Sequence, residues 1–160
     1  MSKILVVDVE KCSGCRICEV ACSWFHEEEF NPAKARLSIV SWKKAAINYP
    51  MICEQCEKAP CAEVCPTDAI YKDGESGAWK VDEAKCIGCK FCSLVCPLGA
   101  VSFFEEKRGA IKCDLCDGDP QCVKYCPMEA IEFVEEEKAG LSKKRVAAEK
   151  LFATMQEMPK

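Results

Sequence analysis

Residues 86–97 constrain this chain more than any other stretch: Cys86-Ile87-Gly88-Cys89-Lys90-Phe91-Cys92-Ser93-Leu94-Val95-Cys96-Pro97. The spacing is C-x2-C-x2-C-x3-C-P, a ligand pattern for a 4Fe–4S cubane. Three closely spaced thiolates suit three irons on one cubane face. Gly88 permits the tight loop that brings backbone amides towards the sulfurs. The fourth cysteine stands beyond a short helical turn and points away, towards a different cluster. One such run demands a second group, and the chain supplies three more.

The first of these is Cys12, Cys15, Cys18 and Cys22, with the same spacing but Ser23 in place of the proline. Without proline, the local helix is expected to continue through Trp24, Phe25 and His26. The next is Cys53, Cys56, Cys61 and Cys65, spaced x2, x4, x3 and closed by Pro66. The last is Cys113, Cys116, Cys122 and Cys126, spaced x2, x5, x3 and closed by Pro127. Cys-Pro, two or three residues, then Ala-Ile or Ala-Val recurs three times, each instance predicting a strand that starts after a quartet. That recurrence marks an internal repeat.

Sixteen cysteines in 160 residues leave three chemistries to weigh. Disulfides need an oxidising compartment, and Met1-Ser2-Lys3-Ile4-Leu5-Val6-Val7-Asp8 is no signal peptide, nor is there a twin arginine. A cytoplasmic location is expected. A zinc ion needs four thiolates, usually as two distant C-x2-C pairs, and has no use for the third cysteine that follows each pair here. Iron–sulfur chemistry fits all four groups.

The formal net charge is −4. Each oxidised cubane on four thiolates adds about −2, taking a four-cluster protein to about −12. Such a surface does not suit nucleic acid and could orient a redox partner bearing a basic patch. No stretch reaches the roughly 18 apolar residues that a transmembrane helix needs.

Residues 3–9 read as a short branched strand. The longest gap between groups, 23–52, holds the turn signal Phe30-Asn31-Pro32 and a plausible strand over 36–42. It is either a packing hairpin or a partner-contact surface. Residues 67–72 predict a turn and then a strand, which the hairpin-like loop 73–77 leads into 78–82. From Gly140 onward the chain predicts a helical extension, 140–160. Ala148, Leu151, Phe152, Met155 and Met158 share one face of it, either lying back on the body or docking a larger subunit. His26 reads as a solvated or hydrogen-bonded side chain, Trp24, Trp42 and Trp79 as packing. The acidic runs 27–29, 105–106 and 135–137 read as solvated faces.

No quartet lacks a ligand, whereas a metal centre that binds substrate keeps an open coordination position. Saturated clusters transfer electrons. No GxGxxG fingerprint or phosphate loop is present, which argues against hydride chemistry within the chain.

The order of spacings, with Phe30-Asn31-Pro32 in the first insertion and Cys53-Glu54-Gln55-Cys56 opening the second quartet, resembles a known family. These are the four-cluster electron-transfer subunits of molybdenum and tungsten oxidoreductases and related hydrogenase complexes. Dimethyl-sulfoxide reductase and formate dehydrogenase contain such chains. The resemblance covers residues 3–135. The compact length looks most like the small subunit of a tungsten aldehyde oxidoreductase or of class II benzoyl-coenzyme-A reductase.

The resemblance implies an α+β fold of two pseudo-symmetric bacterial ferredoxin-like dicluster modules with short strands and helices, followed by the C-terminal helix. The four-cluster domain would span 1–139, with an outer module of 3–30 and 105–135, an inner module of 50–104, and the insertion 23–52. It implies four 4Fe–4S clusters. Cys12, Cys15, Cys18 and Cys126 would hold one, and Cys22, Cys113, Cys116 and Cys122 its neighbour. Cys53, Cys56, Cys61 and Cys96 would hold a third, and Cys65, Cys86, Cys89 and Cys92 the fourth. Some relatives carry tryptophan for a third-group cysteine; Cys89 is present here, so a fourth cubane is expected.

The implied role is a non-catalytic subunit relaying electrons. It would connect a large catalytic oxidoreductase subunit, a tungsten or molybdenum pterin enzyme, to an external carrier such as ferredoxin or to a further redox subunit. The alternative is a free-standing polyferredoxin or a hydrogenase-linked carrier.

Overall fold

The computed structural model describes residues 3–104 and 107–136. In chain order the elements are β1 (Lys3–Val7), α1 (Ile17–Glu27), β2 (Ser38–Trp42), β3 (Ile47–Met51), α2 (Pro60–Glu63), β4 (Ile70–Lys72), β5 (Trp79–Val81), α3 (Phe91–Val95), β6 (Val101–Ser102), β7 (Ile111–Lys112), α4 (Gln121–Lys124) and β8 (Ile131–Glu135). The fold is a small α+β arrangement of ferredoxin-like type, its strands combining as four antiparallel pairs: β1–β8, β2–β3, β4–β5 and β6–β7. Strands β4, β6 and β8 each start just after a Cys-Pro, where the repeat predicts them.

The β1–β8 pair ties residues near the two ends of the described chain together, with Lys3 opposite Glu135 and Val7 opposite Ile131. Helix α1 runs past Cys22 to Glu27 and is capped by Glu28, which is left-handed (φ 53°) and donates its N–H to the Trp24 carbonyl. No proline interrupts it, and Ser23, fully buried, stays in register. The chain then returns as the hairpin β2–β3.

That hairpin is bound to the first cysteine group by polar contacts. Glu19 is 2% exposed, and its Oε1 accepts the Ile39 N–H at 2.6 Å while Arg16 lies 3.6 Å from its Oε2. Asn48 donates to the Cys12 carbonyl at 3.4 Å. The 23–52 stretch thus packs on the body as a hairpin.

Two cores form. Leu5, Leu37, Ile39, Ile52, Leu115 and Ile131 pack around Cys18, Cys22, Cys113 and Cys122. Ala59, Ile70, Val101 and Ala110 pack around Cys61 and Cys92. Each large aliphatic side chain buried in this way contributes about 1.5–3 kcal/mol. The β6–β7 pair sets Val101 opposite Lys112, so a strand pairing spans the expected boundary at 104–105.

Several expectations change. Trp24 and Trp42 are about half exposed, at 50% and 53%, because each sits on the outer side of its element. Trp79 is tied to the body, its indole N–H donating to the Cys56 carbonyl at 2.9 Å. Glu27 is not a free solvated acid: it pairs with Lys107 at 2.6 Å. Residues 105–106, Glu137 and the C-terminal face of Ala148, Leu151, Phe152, Met155 and Met158 lie outside the described residues.

Candidate iron–sulfur sites

All four cysteine groups open with the same backbone device. The residue before the second cysteine is left-handed in each: Gly14 (φ 72°), Gln55 (φ 50°), Gly88 (φ 70°) and Leu115 (φ 60°). Glycine adopts this freely, whereas an L-residue with a side chain pays about 1–2 kcal/mol. Leu115 offsets that cost by burial, at 1% exposure. Gln55 offsets it with two hydrogen bonds. At Gly88 there is a second constraint, because a Cβ would stand 2.6 Å from the Arg108 carbonyl oxygen. Approach of that backbone, as much as access of amides to sulfur, demands glycine here.

The cysteines gather in fours. Cys12, Cys15, Cys18 and Cys126 line one cavity, roofed by Ile39 and Pro50 of the hairpin. Cys53, Cys56, Cys61 and Cys96 line another, together with Trp79 and Lys112. Cys65, Cys86, Cys89 and Cys92 line a third beside Ile70 and Ala110. Cys22 comes together with Cys113, Cys116 and Cys122 in the buried interior, close enough that the charges of the other three bear on the Cys122 thiol. In every case three cysteines of one group meet the last cysteine of another.

Hydrogen bonds aimed at sulfur repeat as well. Cys65, Cys96 and Cys126 accept N–H bonds from Ala69, Ala100 and Ala130, four residues on, at 3.3, 3.3 and 3.2 Å. The turn behind each bond places a left-handed residue third after the cysteine: Asp68, Gly99 and Glu129. Cys22 has no such turn and accepts the Arg36 N–H at 3.3 Å instead. Cys86 accepts from Ala110 at 3.4 Å.

Burial sets the thiol chemistry. It pushes Cys18 and Cys113 up to about 12, and Cys92 and Cys116 up to about 11. It also raises Cys22, Cys61 and Cys122. For Cys65 burial raises the thiol too, but hydrogen bonds from Thr67 and Ala69 outweigh it and hold it below the ordinary value. Several thiolates crowded in one low-dielectric cavity are unfavourable by themselves. Bound iron would supply the missing positive charge, and its binding would displace the thiol protons. The donor sets therefore fit 4Fe–4S groups, which all-sulfur coordination favours.

A polar seam joins the groups. Gln55 donates to the Cys113 carbonyl at 2.8 Å and accepts the Trp79 N–H at 2.9 Å. Lys112 donates to the Trp79 carbonyl at 2.7 Å and to the Cys113 carbonyl at 3.3 Å. His26 is the hydrogen-bonded side chain expected rather than a solvated one: its side chain is 8% exposed, and its Nε2 lies 3.6 Å from Cys116 Sγ and 3.4 Å from Asp114 Oδ1. Burial, and then the Arg36 charge, lowers its basicity. Arg36 closes this cluster by pairing with Asp114. Sequence reasoning passed over Gln55, Lys112, Arg36 and Asp114. The C-x-x-C loops flagged the positions of Gln55 and Asp114, but their partners lie tens of residues away.

Beside the first cavity, α1 and α4 leave a groove lined by Ile17, Trp24, Phe25, Phe30 and Tyr125. Trp24 stacks on Phe30 at a 4.6 Å ring separation, and Phe30 is 69% exposed. Among the described residues no helix is long and apolar enough to cross a membrane.

Comparison with known proteins agrees with this chemistry. The 4Fe-4S dicluster domain family matches residues 45–136, more than half of the chain. The chain is 42% identical over 118 residues to the polyferredoxin-like subunit of an aliphatic sulfonate oxidoreductase from Pyrococcus furiosus, covering 73% of this chain and 67% of that one. It is 37% identical over 139 residues to electron transport protein HydN of Escherichia coli (strain K12), covering 73% of this chain and 77% of that one. Among solved structures, the active site complex BamBC of benzoyl coenzyme A reductase with benzoyl-CoA is similar, with a TM-score of 0.50 and 29% identity. The match covers 94% of this chain and 90% of that one. The chain belongs to the 4Fe–4S dicluster family of iron–sulfur electron-transport proteins.

Proposed function

We propose that this chain is a non-catalytic subunit carrying four 4Fe–4S clusters between a large catalytic subunit, of tungsten or molybdenum pterin type, and an external redox carrier or further redox subunit. The observation that carries this reading is the gathering of all sixteen cysteines in four complete sets of four. A complete set leaves no iron open to substrate. When bound, such clusters supply one-electron transfer. The chain's own residues hold the sulfurs in place, aim N–H groups at them, and keep water out through the two cores.

The ligand sets are those of the four gatherings: Cys12, Cys15, Cys18 and Cys126; Cys22, Cys113, Cys116 and Cys122; Cys53, Cys56, Cys61 and Cys96; Cys65, Cys86, Cys89 and Cys92. The outer and inner pairs form two modules that meet at the seam of Gln55, Trp79 and Lys112. A fixed catalytic partner is supported by the exposed aromatic groove on α1 and by similarity to chains named as oxidoreductase subunits. The place of work is the cytoplasm.

The test is purification of the untagged complex from its native cells, with metal analysis. Co-elution with a large subunit containing tungsten or molybdenum is expected. Elution as a lone iron–sulfur protein under gentle, low-salt conditions would favour the free polyferredoxin instead.

A further inference from the structure

Lys112 is a cation where a cation is costly. It is 3% exposed, and its ammonium is met by two carbonyl oxygens, those of Trp79 at 2.7 Å and Cys113 at 3.3 Å. Two neutral acceptors do not cancel a buried unit charge, which needs an anionic partner to offset its lost hydration. Among the described residues no carboxylate forms an ion pair with it. Lys80, by contrast, has such partners in Asp73 and Asp117.

The side chain instead lines the cavity of Cys53, Cys56, Cys61 and Cys96. Its charge bears on the Cys61 thiol, favouring the thiolate. Its backbone leads directly into Cys113 of the neighbouring set, and its ammonium shares the Cys113 carbonyl with Gln55.

We propose that Lys112 is the built-in counter-charge of the cluster held by Cys53, Cys56, Cys61 and Cys96, and that it raises this cluster's reduction potential relative to the others. The inference rests on the four-cluster reading above. A cubane on four thiolates becomes more negative by one charge on reduction, so a fixed cation beside it favours the reduced state. Position gives this a purpose. The cavity lies where the inner and outer sets approach, near enough that Cys53 bears on the Cys113 thiol. A more readily reduced cluster there collects electrons at the crossing between modules.

The test is an electron-paramagnetic-resonance redox titration of the full chain carrying Lys112→Met, with Lys80→Met as control. Lys112→Met is expected to retain its iron and to shift one cluster's reduction equilibrium towards the oxidised form by about tenfold, about 59 mV for a one-electron couple. Lys80→Met should leave all potentials in place. Unshifted potentials in Lys112→Met, or an equal shift in the control, would overturn the proposal. If Lys112→Met loses iron, Lys112→Arg decides. Recovery of the iron with the charge supports the counter-charge, and loss in both variants means the side chain serves only by its shape, which also overturns it. Failure of the four-cluster reading would appear separately, as a shortfall of iron in the unaltered protein.

Discussion

Cys65, Cys96 and Cys126 leave their sites by one route and Cys22 by another. The three each precede a proline, turn within four residues, and receive an N–H from an alanine in that turn. Cys22 precedes Ser23 inside α1 and receives its N–H from Arg36, fourteen residues on. The turn and the helix are alternative answers to one requirement, a backbone donor at the outgoing sulfur. In the three Cys-Pro exits the requirement is met locally. In the first group the helix consumes the local amides in its own hydrogen bonds, so the 23–52 insertion must supply the donor. The insertion is thereby part of the first cysteine site rather than an ornament on it.

The comparison breaks most completely if the sulfur itself is removed. Cys22→Ala is expected to cost about four irons per chain, because one quartet loses its crossing ligand. The outer core should loosen with it, since Cys22 packs among Leu5, Leu37 and Leu115. Iron assay and far-ultraviolet circular dichroism of the anaerobic protein check this.

Giving the first group the exit of the others should also fail. Ser23→Pro would remove an N–H and clash with the preceding turn inside α1, costing about 3 kcal/mol or more. It would also delete the hydroxyl that accepts the Asn31 N–H at 3.2 Å. The reciprocal change Pro127→Ser, in a turn already held by Ala130, should cost less than about 1 kcal/mol. Guanidinium unfolding followed by cluster absorbance would measure the two side by side.

A third change addresses the substitute donor. Arg36→Met keeps the N–H to Cys22 but leaves Asp114, 16% exposed, without its guanidinium partner. A mostly buried pair broken on one side should cost about 2 kcal/mol, seen as a lowered unfolding midpoint with iron content unchanged.

The smallest effect concerns the turns themselves. Glu129 holds φ 49° where the third group uses Gly99 at 61°. Glu129→Gly should stabilise by up to about 1 kcal/mol as strain is relieved, less the entropy that glycine gives up on folding. Gly99→Ala should destabilise by a similar amount. Opposite signs in thermal midpoints would bear this out; equal signs would mean the turns are not equivalent.

The Cys-Pro spacing foretold β4, β6 and β8, because proline, turn and alanine act within six residues. The absence of proline at Ser23 likewise foretold the length of α1. What could not be read were contacts between distant segments. Arg36 and Asp114 are 78 residues apart, and His26 and Cys116 are 90, so no local pattern marks them. Lysine and glutamate also mislead by default, since both usually face water. Lys112 and Glu19 are buried because backbone groups and charges elsewhere in the chain meet them. Gln55 and Leu115 occupy left-handed positions that glycine advertises in the other two groups, so their strain was invisible too.

The central claim is that sixteen cysteines form four complete quartets, and a count of iron and acid-labile sulfide on the anaerobically purified chain tests it most directly. About 16 of each per chain is expected, four per cubane. A stable value near 12 or 8, reproduced after reconstitution with excess iron and sulfide, would contradict it.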